Sequence, residues 1–393
     1  MDARMVAARK TSAQRMLEIA RDIGLRDGID AIGVRSVARE ADIGPSLVSY
    51  HYKGQDKLLA ALHEQMMQDH YTDLSRHLAK AAALPRHIRT PGSFLTAMVN
   101  HLAHKMRPQT LLLLELRMHA ALTEEQVDTA AAQQFWQDFG AAFDLPDTLV
   151  WPWAMMADAI LWYAILDDDP LISQTWVVRV FQRFTAKLAG LPDQTTEDAL
   201  FDEDRDEAEE KEAASQKRRP RSQEVTEAAI RLVSRGEKIS HRTLAKEAGI
   251  PLASIAYSLG SKRDILADTY KTIYDLMIGD ITAKGSWPVF SISADGKVAP
   301  IPALFGKLIL HTAREDSNDF LSSRLRDTRG LSSLKALHRR GVQADRLDAL
   351  IWSLCHNPYS PTIFGLPVTE RADHFNVRLA DLFQRLFNRH EGV

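Results

Sequence analysis

Two segments of this chain, residues 36–51 and 243–258, share one pattern of apolar and polar positions and align without a gap at an offset of 207 residues. In each segment, apolar residues at i, i+1 and i+4 form one face of a short helix, and Ile43 or Ile250 follows at a turn. A second short helix comes next. This pattern predicts a helix-turn-helix, whose second helix exposes small and polar groups to a DNA groove.

Helical periodicity continues through most of the remaining sequence, and only residues 289–292 show a brief alternating pattern. Prolines and glycines mark the expected helix ends. In the first half, helices are expected near 11–27, 34–52 for the helix-turn-helix, 56–82, 92–106, 109–121, 123–143, 147–166 and 170–189. In the second half, they are expected near 222–235, 241–259, 262–284, 301–314, 316–328, 330–340, 343–356 and 368–389. The chain is therefore predicted to be all-α.

Each helix-turn-helix runs on into a further amphipathic helix, and this junction resembles the TetR family of transcriptional regulators. That family carries Ala-Gly-Val-Ser-x-Gly-x-Leu-Tyr-x-His-Phe-x-Ser-Lys-x-x-Leu-Leu here, and residues 41–59 and 248–266 match its hydrophobic pattern and spacing. The resemblance implies two tandem TetR-like units in one chain. Each unit would have an N-terminal three-helix DNA-binding head followed by a helical ligand-binding and assembly domain.

The two copies depart from the family pattern at different positions. Asp42 replaces the turn glycine that the second copy retains as Gly249. The other departures are Ser49 and Ala256 in place of a tyrosine, Ser258 in place of the histidine kept as His51, and Gln55 in place of the lysine kept as Lys262. Sequence preference therefore does not transfer from the family to this chain.

The repeat divides the chain into five segments. They are a first head (residues 1–58), a first helical ligand or assembly domain (59–192), a charged linker (193–220), a second head (221–266) and a second helical ligand or assembly domain (267–393). With 393 residues, of which 45% are hydrophobic, the chain is long enough to bury a core in each half.

Charge is distributed unevenly along the chain. The net charge of −3 argues against a nucleic-acid partner only if the distribution is ignored. Residues 193–215 carry −9, whereas residues 216–266 carry +6 and residues 1–58 carry +2. A basic run precedes the second helix-turn-helix, and it would either contact phosphates and the minor groove or act only as a solubilising tail. Its members are Lys217, Arg218, Arg219 and Arg221.

Signals for disulfides and membranes are nearly absent. The single cysteine, Cys355, excludes an intramolecular disulfide and a cysteine-based structural zinc site, and it fits a reducing cytoplasm. No apolar run approaches the roughly 18 residues that span a bilayer, and the amino terminus lacks a signal-peptide core. We expect a soluble cytoplasmic protein without a membrane partner.

Candidate DNA contacts lie on the second helix of each helix-turn-helix and beside it, because that helix would enter the major groove while its flanks hold phosphates. In the first head they are Arg35, Ser36, Pro45, Ser46, Ser49, Tyr50, His51, Tyr52, Lys53 and Lys57. In the second head they are Arg242, Thr243, Leu252, Ala253, Ala256, Tyr257, Ser258 and Lys262, preceded by the basic run. Tyr50 and Tyr257 occupy the same repeat position and would contact a base or phosphate, unless they serve only in packing.

A ligand pocket is expected in the first helical domain, where aromatic and methionine side chains recur with a few polar residues. The candidates are Met98, His101, Arg117, Trp136, Phe139, Phe143, Met155, Trp162 and Tyr163. The second half offers Phe305, Phe320, Trp352, His356 and Tyr359 as weaker equivalents. Such residues at helical spacing are also typical of an ordinary core, which is the alternative.

Metal binding and catalysis have little support in the sequence. His101-x-x-His104 with His119 would place two imidazoles on one helical face, but the spacing fixes no carboxylate partner. Cys355-His356 is not the arrangement of a nucleophile and its base, and no phosphate-binding glycine loop occurs. We predict no metal, no cofactor and no enzymatic activity.

The resemblance implies a transcriptional repressor that a small apolar or amphipathic ligand releases from a double-stranded DNA operator. Three alternatives remain open: an activator of the same fold, a sensor or interaction protein with one degenerate head, and an all-helical enzyme. Pairing of the last two helices of each half would give a single-chain pseudo-dimer, and pairing of like halves would give a homodimer.

Overall fold

The computed structural model of the protein describes residues 12–123, 128–167, 169–189, 220–235, 237, 239–258, 262–283, 300–315, 319–339, 341–355, 357, 381–382 and 384–387. All regular secondary structure in these residues is helical, which confirms the predicted all-α class. None of the described helices combines the length and the apolar character that crossing a bilayer requires. The alternating pattern at 289–292 and most of the helix expected at 368–389 lie outside the described residues.

The first half contains nine α-helices in its described residues. They are α1 (Ser12–Asp27), α2 (Val34–Ala41), α3 (Pro45–Tyr52), α4 (Gln55–Ala82), α5 (Pro91–Asn100), α6 (Arg107–Thr123), α7 (Ala130–Ala142), α8 (Asp147–Ala164) and α9 (Pro170–Ala189). Short 3-10 helices occur at Ile29–Ala31 and Arg86–Ile88, and a π-helical turn occupies His101–Lys105.

The described helices of the second half follow a similar order. They are α10 (Pro220–Ser234), α11 (His241–Ala248), α12 (Leu252–Ser258), α13 (Lys262–Ala283), α14 (Pro300–Glu315), α15 (Asp319–His338) and α16 (Arg346–Leu354). Helices α11, α12 and α13 each begin 207 residues after α2, α3 and α4. The backbone therefore repeats with the offset that the sequence repeat predicts.

Three expected helix boundaries were wrong, and the first is the helix expected at 123–143, which begins only at Ala130. The helices expected at 316–328 and 330–340 are one helix, α15, which passes through the buried Gly330. Tertiary packing here outweighs the roughly 1 kcal/mol that a glycine costs inside a helix. The helix expected at 92–106 ends at Asn100 and continues as the π-helical turn, where the Thr110 hydroxyl donates a 2.8 Å hydrogen bond to the Leu102 carbonyl.

Local capping explains why the short helices of the heads form. Helix α2 begins after Gly33, and the Ser36 hydroxyl accepts a hydrogen bond from the Gly33 N–H at 2.9 Å. Helix α11 begins after Ser240, which exchanges hydrogen bonds with Thr243 in a capping box. Both helices end on a left-handed residue at the turn into the next helix.

One apolar core runs through both halves, and α8 lies at its centre. Every residue of α8 from Trp151 to Ala164 is buried. The segment 158–162 of α8 and the segment 348–352 of α16 share the pattern Asp-Ala, two aliphatic residues and Trp. The two helices contact each other, so related segments from the two halves meet in the same core.

Polar contacts also join the two halves. Arg183 on α9 forms ion pairs with Asp345 at 2.6 Å and with Asp348 at 3.0 Å. The hydroxyl groups of Tyr163 on α8 and Tyr270 on α13 lie 2.8 Å apart and are buried. The two halves therefore pack against each other within one chain, and α8, α9 and α16 are part of the contact.

Candidate nucleic-acid interface and the cavity behind it

Helix α3 of the first head presents its polar face to solvent. Val48 is its only buried residue, and it anchors the helix to the core through one side. Pro45, Ser46, Ser49 and Tyr50 are all exposed, and Tyr50 is 79% exposed. A large aromatic side chain with that exposure contributes little to packing in this fold. The alternative that Tyr50 is a half-buried packing tyrosine therefore finds no support.

The neighbours of Tyr50 extend the same surface. The exposed His51 ring lies edge-on to the Tyr50 ring, with centroids 5.4 Å apart. Lys53 follows the helix with a left-handed backbone at φ 54°, and its side chain is exposed. Arg35 on α2 and Lys57 on α4 are exposed as well. Aromatic, imidazole and cationic groups therefore lie on and beside one short helix.

Two candidate residues of the first head have intramolecular roles instead. The Ser36 hydroxyl donates to the Ala31 carbonyl at 2.8 Å and completes the cap of α2. The half-buried Tyr52 hydroxyl donates to the Ala13 carbonyl at 2.6 Å, which ties α3 to α1. These hydroxyls hold the head together and are not directed to solvent.

The second head has the same backbone plan but a less polar exposed face. Leu252 and Ala253 at the start of α12 are exposed, Ile255 is buried beneath them, and Arg242 on α11 is exposed. Thr243 caps α11 as Ser36 caps α2, and Lys262 at the start of α13 is half-buried. The structure places the backbone of Ala256, Tyr257 and Ser258 in α12 and that of Arg221 in α10, but their side chains lie outside its description, as do Lys217, Arg218 and Arg219 entirely.

Some of the positive charge of the second head is neutralised within the head. Arg235 contacts Glu237 at 2.6 Å and Glu247 at 2.7 Å, and Arg231 contacts Glu247 at 2.8 Å. Hydrogen bonds from Arg235 and then Arg231 lower the pKa of Glu247 to about 2. These two arginines and two glutamates cancel one another, so the net positive charge of this head comes from its other basic residues.

Helix α14 contacts the first helix of both heads. Arg314 donates to the Gly24 carbonyl on α1 at 3.1 Å and to Glu115 on α6 at 2.8 Å. Glu115 also accepts a 3.1 Å hydrogen bond from the backbone N–H of Ile29, just after α1. Lys307, on the same α14, donates to the Ser234 carbonyl at the end of α10 at 2.7 Å. Local sequence patterns do not predict this arrangement, since the partners are far apart along the chain.

A small cavity lies between α4, α6, α7 and α8. Of the candidate ligand residues, Met98, Arg117 and Trp136 line it. Arg117 pairs with Asp158 at 2.5 Å, and both side chains are buried. Sequence reasoning missed the other lining residues, among them the polar His70, Tyr71 and Asp158. The volume of about 30 Å³ admits a water-sized molecule and is far below that of a typical ligand pocket.

The remaining candidate ligand residues lie elsewhere. Phe139 and Phe143 pack with Phe94, Met155 and Trp162 are buried in the core, and Tyr163 lies at the contact between the halves. His101 lies beside Asp73 and His77 on the outer side of the π-helical turn. A wider depression of about 310 Å³ beside α4 and α7 contains none of the candidates in its lining.

The chain matches no protein-family model and no curated protein sequence.

Proposed function

We propose that this protein is a DNA-binding transcriptional regulator, a repressor that carries two helix-turn-helix heads in one chain. The observation that carries the proposal is the exposed face of α3. A short helix held by one buried valine presents Ser46, Ser49 and a Tyr50 that is 79% exposed. Such a helix is narrow enough for the major groove, and hydroxyl groups are suitable partners for base edges and phosphates.

The contacts between the halves support an assembly in which both heads act from one chain. Two heads related by a repeat resemble the arrangement by which dimeric regulators engage two half-sites about 34–36 Å apart. Buried contacts such as Tyr163 with Tyr270 would fix the heads relative to each other. The single chain then takes the place of a homodimer.

Helix α6 provides a route from the cavity to the heads. It carries Arg117, which lines the cavity, and Glu115, which binds Arg314 of α14 and the backbone of Ile29. A small amphipathic ligand that enlarges the cavity would displace α6 and change the spacing of the heads. The ligand would shift the equilibrium only by the difference in its affinity for the two arrangements.

A regulator with a single DNA-binding head is the second candidate. It is favoured by Ala253, which presents a methyl group where the first head presents the hydroxyl of Ser46. The Arg231 and Arg235 pairs with Glu247 also reduce the charge available for phosphates.

Selection of random duplex DNA by the full-length chain tests the proposal. We expect enrichment of one sequence, with a footprint that covers two half-sites if both heads bind and one if only the first does. Binding should weaken steeply with added salt because phosphate contacts release counterions. Recovery of unenriched DNA at every salt concentration would refute the proposal.

A further inference from the structure

Three potential metal ligands meet between α4 and the π-helical turn. Asp73 and His77 lie one turn apart on α4, and His101 is the first residue of the turn. One ligand atom from each lies within 4.8 Å of the other two. We propose that Asp73, His77 and His101 bind a divalent transition-metal ion, with Zn²⁺ as the reference ion. This site does not depend on DNA binding.

The distances between the ligand atoms fit a tetrahedral ion. Oδ2 of Asp73 lies 3.4 Å from Nε2 of His101 and 3.7 Å from Nε2 of His77. Tetrahedral zinc with bonds of about 2.0–2.1 Å holds its ligand atoms about 3.3–3.4 Å apart. The two imidazole rings are tilted by 56°, with centroids 4.9 Å apart, so both can direct a nitrogen toward one point. Small side-chain movements would complete the site.

The surroundings of the three residues also suit a metal. Nε2 of His101 is buried and has no hydrogen-bond partner, although Asp73 is close by. The other carboxylate oxygen of Asp73 accepts a 2.7 Å hydrogen bond from Arg76, which orients the carboxylate as outer groups do in metal sites. The three side chains keep partial exposure, so water can supply a fourth ligand.

The ligand set favours one class of ion. Two imidazoles and one carboxylate suit zinc and other late transition metals, whereas Ca²⁺ and Mg²⁺ prefer oxygen ligands alone. Spacing along the chain could not predict these three ligands together. The carboxylate of the site, Asp73, lies on α4 and is distant from His101 in sequence. His104 and His119, the neighbours considered from the sequence, are not among the three residues.

A bound ion would fasten the π-helical turn to α4. Leu74 and Leu102, the neighbours of Asp73 and His101 in sequence, both line the cavity. Occupancy would therefore stabilise one wall of the cavity and the whole fold with it, since a ligand that binds only the folded state raises its stability. π-Helical turns occur frequently at functional sites.

Titration of the full-length, tag-free chain with ZnCl₂ after removal of metal by a chelator tests the proposal. Calorimetry should give one ion per chain with a dissociation constant of about 1 μM or tighter. His77→Ala and His101→Ala should each weaken binding by about tenfold or more, and so should Asp73→Asn, which preserves side-chain volume. His87→Ala is the matched control, because His87 is exposed on the Arg86–Ile88 turn and is not one of the three grouped residues.

Thermal unfolding gives an independent result. ZnCl₂ should raise the Tm of the natural chain and of His87→Ala equally, and it should raise the Tm of His101→Ala by clearly less. Circular dichroism without metal establishes that each variant is folded. Absence of stoichiometric binding, or equal affinity in the natural chain and all three site variants, would overturn the proposal.

Discussion

At the scale of single residues, Tyr50 stands out because this large aromatic side chain is 79% exposed and contributes little to packing. Replacing Tyr50 with Ala should weaken specific DNA binding by about 1–3 kcal/mol if a base contact is lost. Tyr257→Ala should do the same if the second head also binds. Fluorescence anisotropy with the selected duplex measures both, and Leu84→Ala, an exposed apolar residue between α4 and α5, is the control. If Tyr257→Ala changes neither affinity nor footprint, only the first head binds DNA.

Asp42 offers a comparison between the two heads at the turn of the helix-turn-helix. Its backbone is left-handed at φ 54°, and its counterpart Gly249 has φ 69°. A residue with a Cβ is strained there, so Asp42→Gly should raise the free energy of unfolding by about 0.5–1 kcal/mol, and Gly249→Ala should lower it by about 1 kcal/mol. No atom lies within 4 Å of a Cβ added at Gly249, so the effect isolates the backbone. Urea unfolding measures both, and a loss of stability in Asp42→Gly would contradict the prediction.

His63 gives the fold a dependence on pH. Burial, and then the charge of Arg117, lower the pKa of His63 to about 3, and neither ring nitrogen has a hydrogen-bond partner. Because the unfolded chain binds this proton near pH 6.5, stability should be full above that pH. Below pH 6.5, His63 should lower the free energy of unfolding by up to about 1.4 kcal/mol for each pH unit down to about pH 3.

The His63→Leu variant should lose that part of the pH dependence when urea unfolding is measured between pH 7 and 4. The exposed His87→Leu serves as the control and should keep the slope of the natural chain. Equal slopes in all three proteins would show that His63 is already protonated or solvated in the folded state.

At the scale of elements, the sequence predicted those helices whose signals are local. The helix-turn-helix pairs were predicted at 34–52 and 241–259, and the structure has α2 with α3 and α11 with α12 there. Helix α15 was divided wrongly because the buried Gly330 looks like a helix end when its packing is unknown. The contacts of Asp73 with His101 and of Glu115 with Arg314 could not be predicted, because each joins residues that are distant in sequence. Arg117 and Trp136 were predicted at a pocket from residue type, but Asp158, the ion-pair partner of Arg117, was not.

Helix α14 should control how firmly the first head is held. Arg314→Met removes the hydrogen bond from α14 to Gly24 and the ion pair with Glu115. The largely buried Glu115 carboxylate then loses this cation and keeps the hydrogen bond from the Ile29 N–H. We expect a loss of about 1–3 kcal/mol in the free energy of unfolding. Hydrogen exchange should quicken in α1 and in the Ile29–Ala31 turn. The matched control is Arg385→Met, which removes an exposed pair with Asp381 and should cost less than about 1 kcal/mol. Equal losses in the two variants would mean that Arg314 contributes no more than a surface residue.

At the scale of the whole molecule, the contacts between the halves determine the expected assembly. Arg183 with Asp345 and Asp348, Lys187 with Asp348, and Tyr163 with Tyr270 all join residues of one chain. The same contacts could form between two chains by exchange of halves. A covalent connection raises the effective concentration of one half for the other to the millimolar range, well above ordinary protein concentrations. The intramolecular pairing is therefore favoured.

Light scattering on the full-length chain at micromolar concentration tests this pairing. We expect a mass near the 44.1 kDa of one chain, independent of protein concentration. Arg183→Ala should lower stability by about 1–3 kcal/mol, because Asp345 loses this cationic partner while Asp348 keeps Lys187, yet the folded fraction should keep the mass of one chain. A mass of twice that value, which falls to one chain only on dilution, would instead assign the contacts to a homodimer with four heads and a correspondingly longer operator.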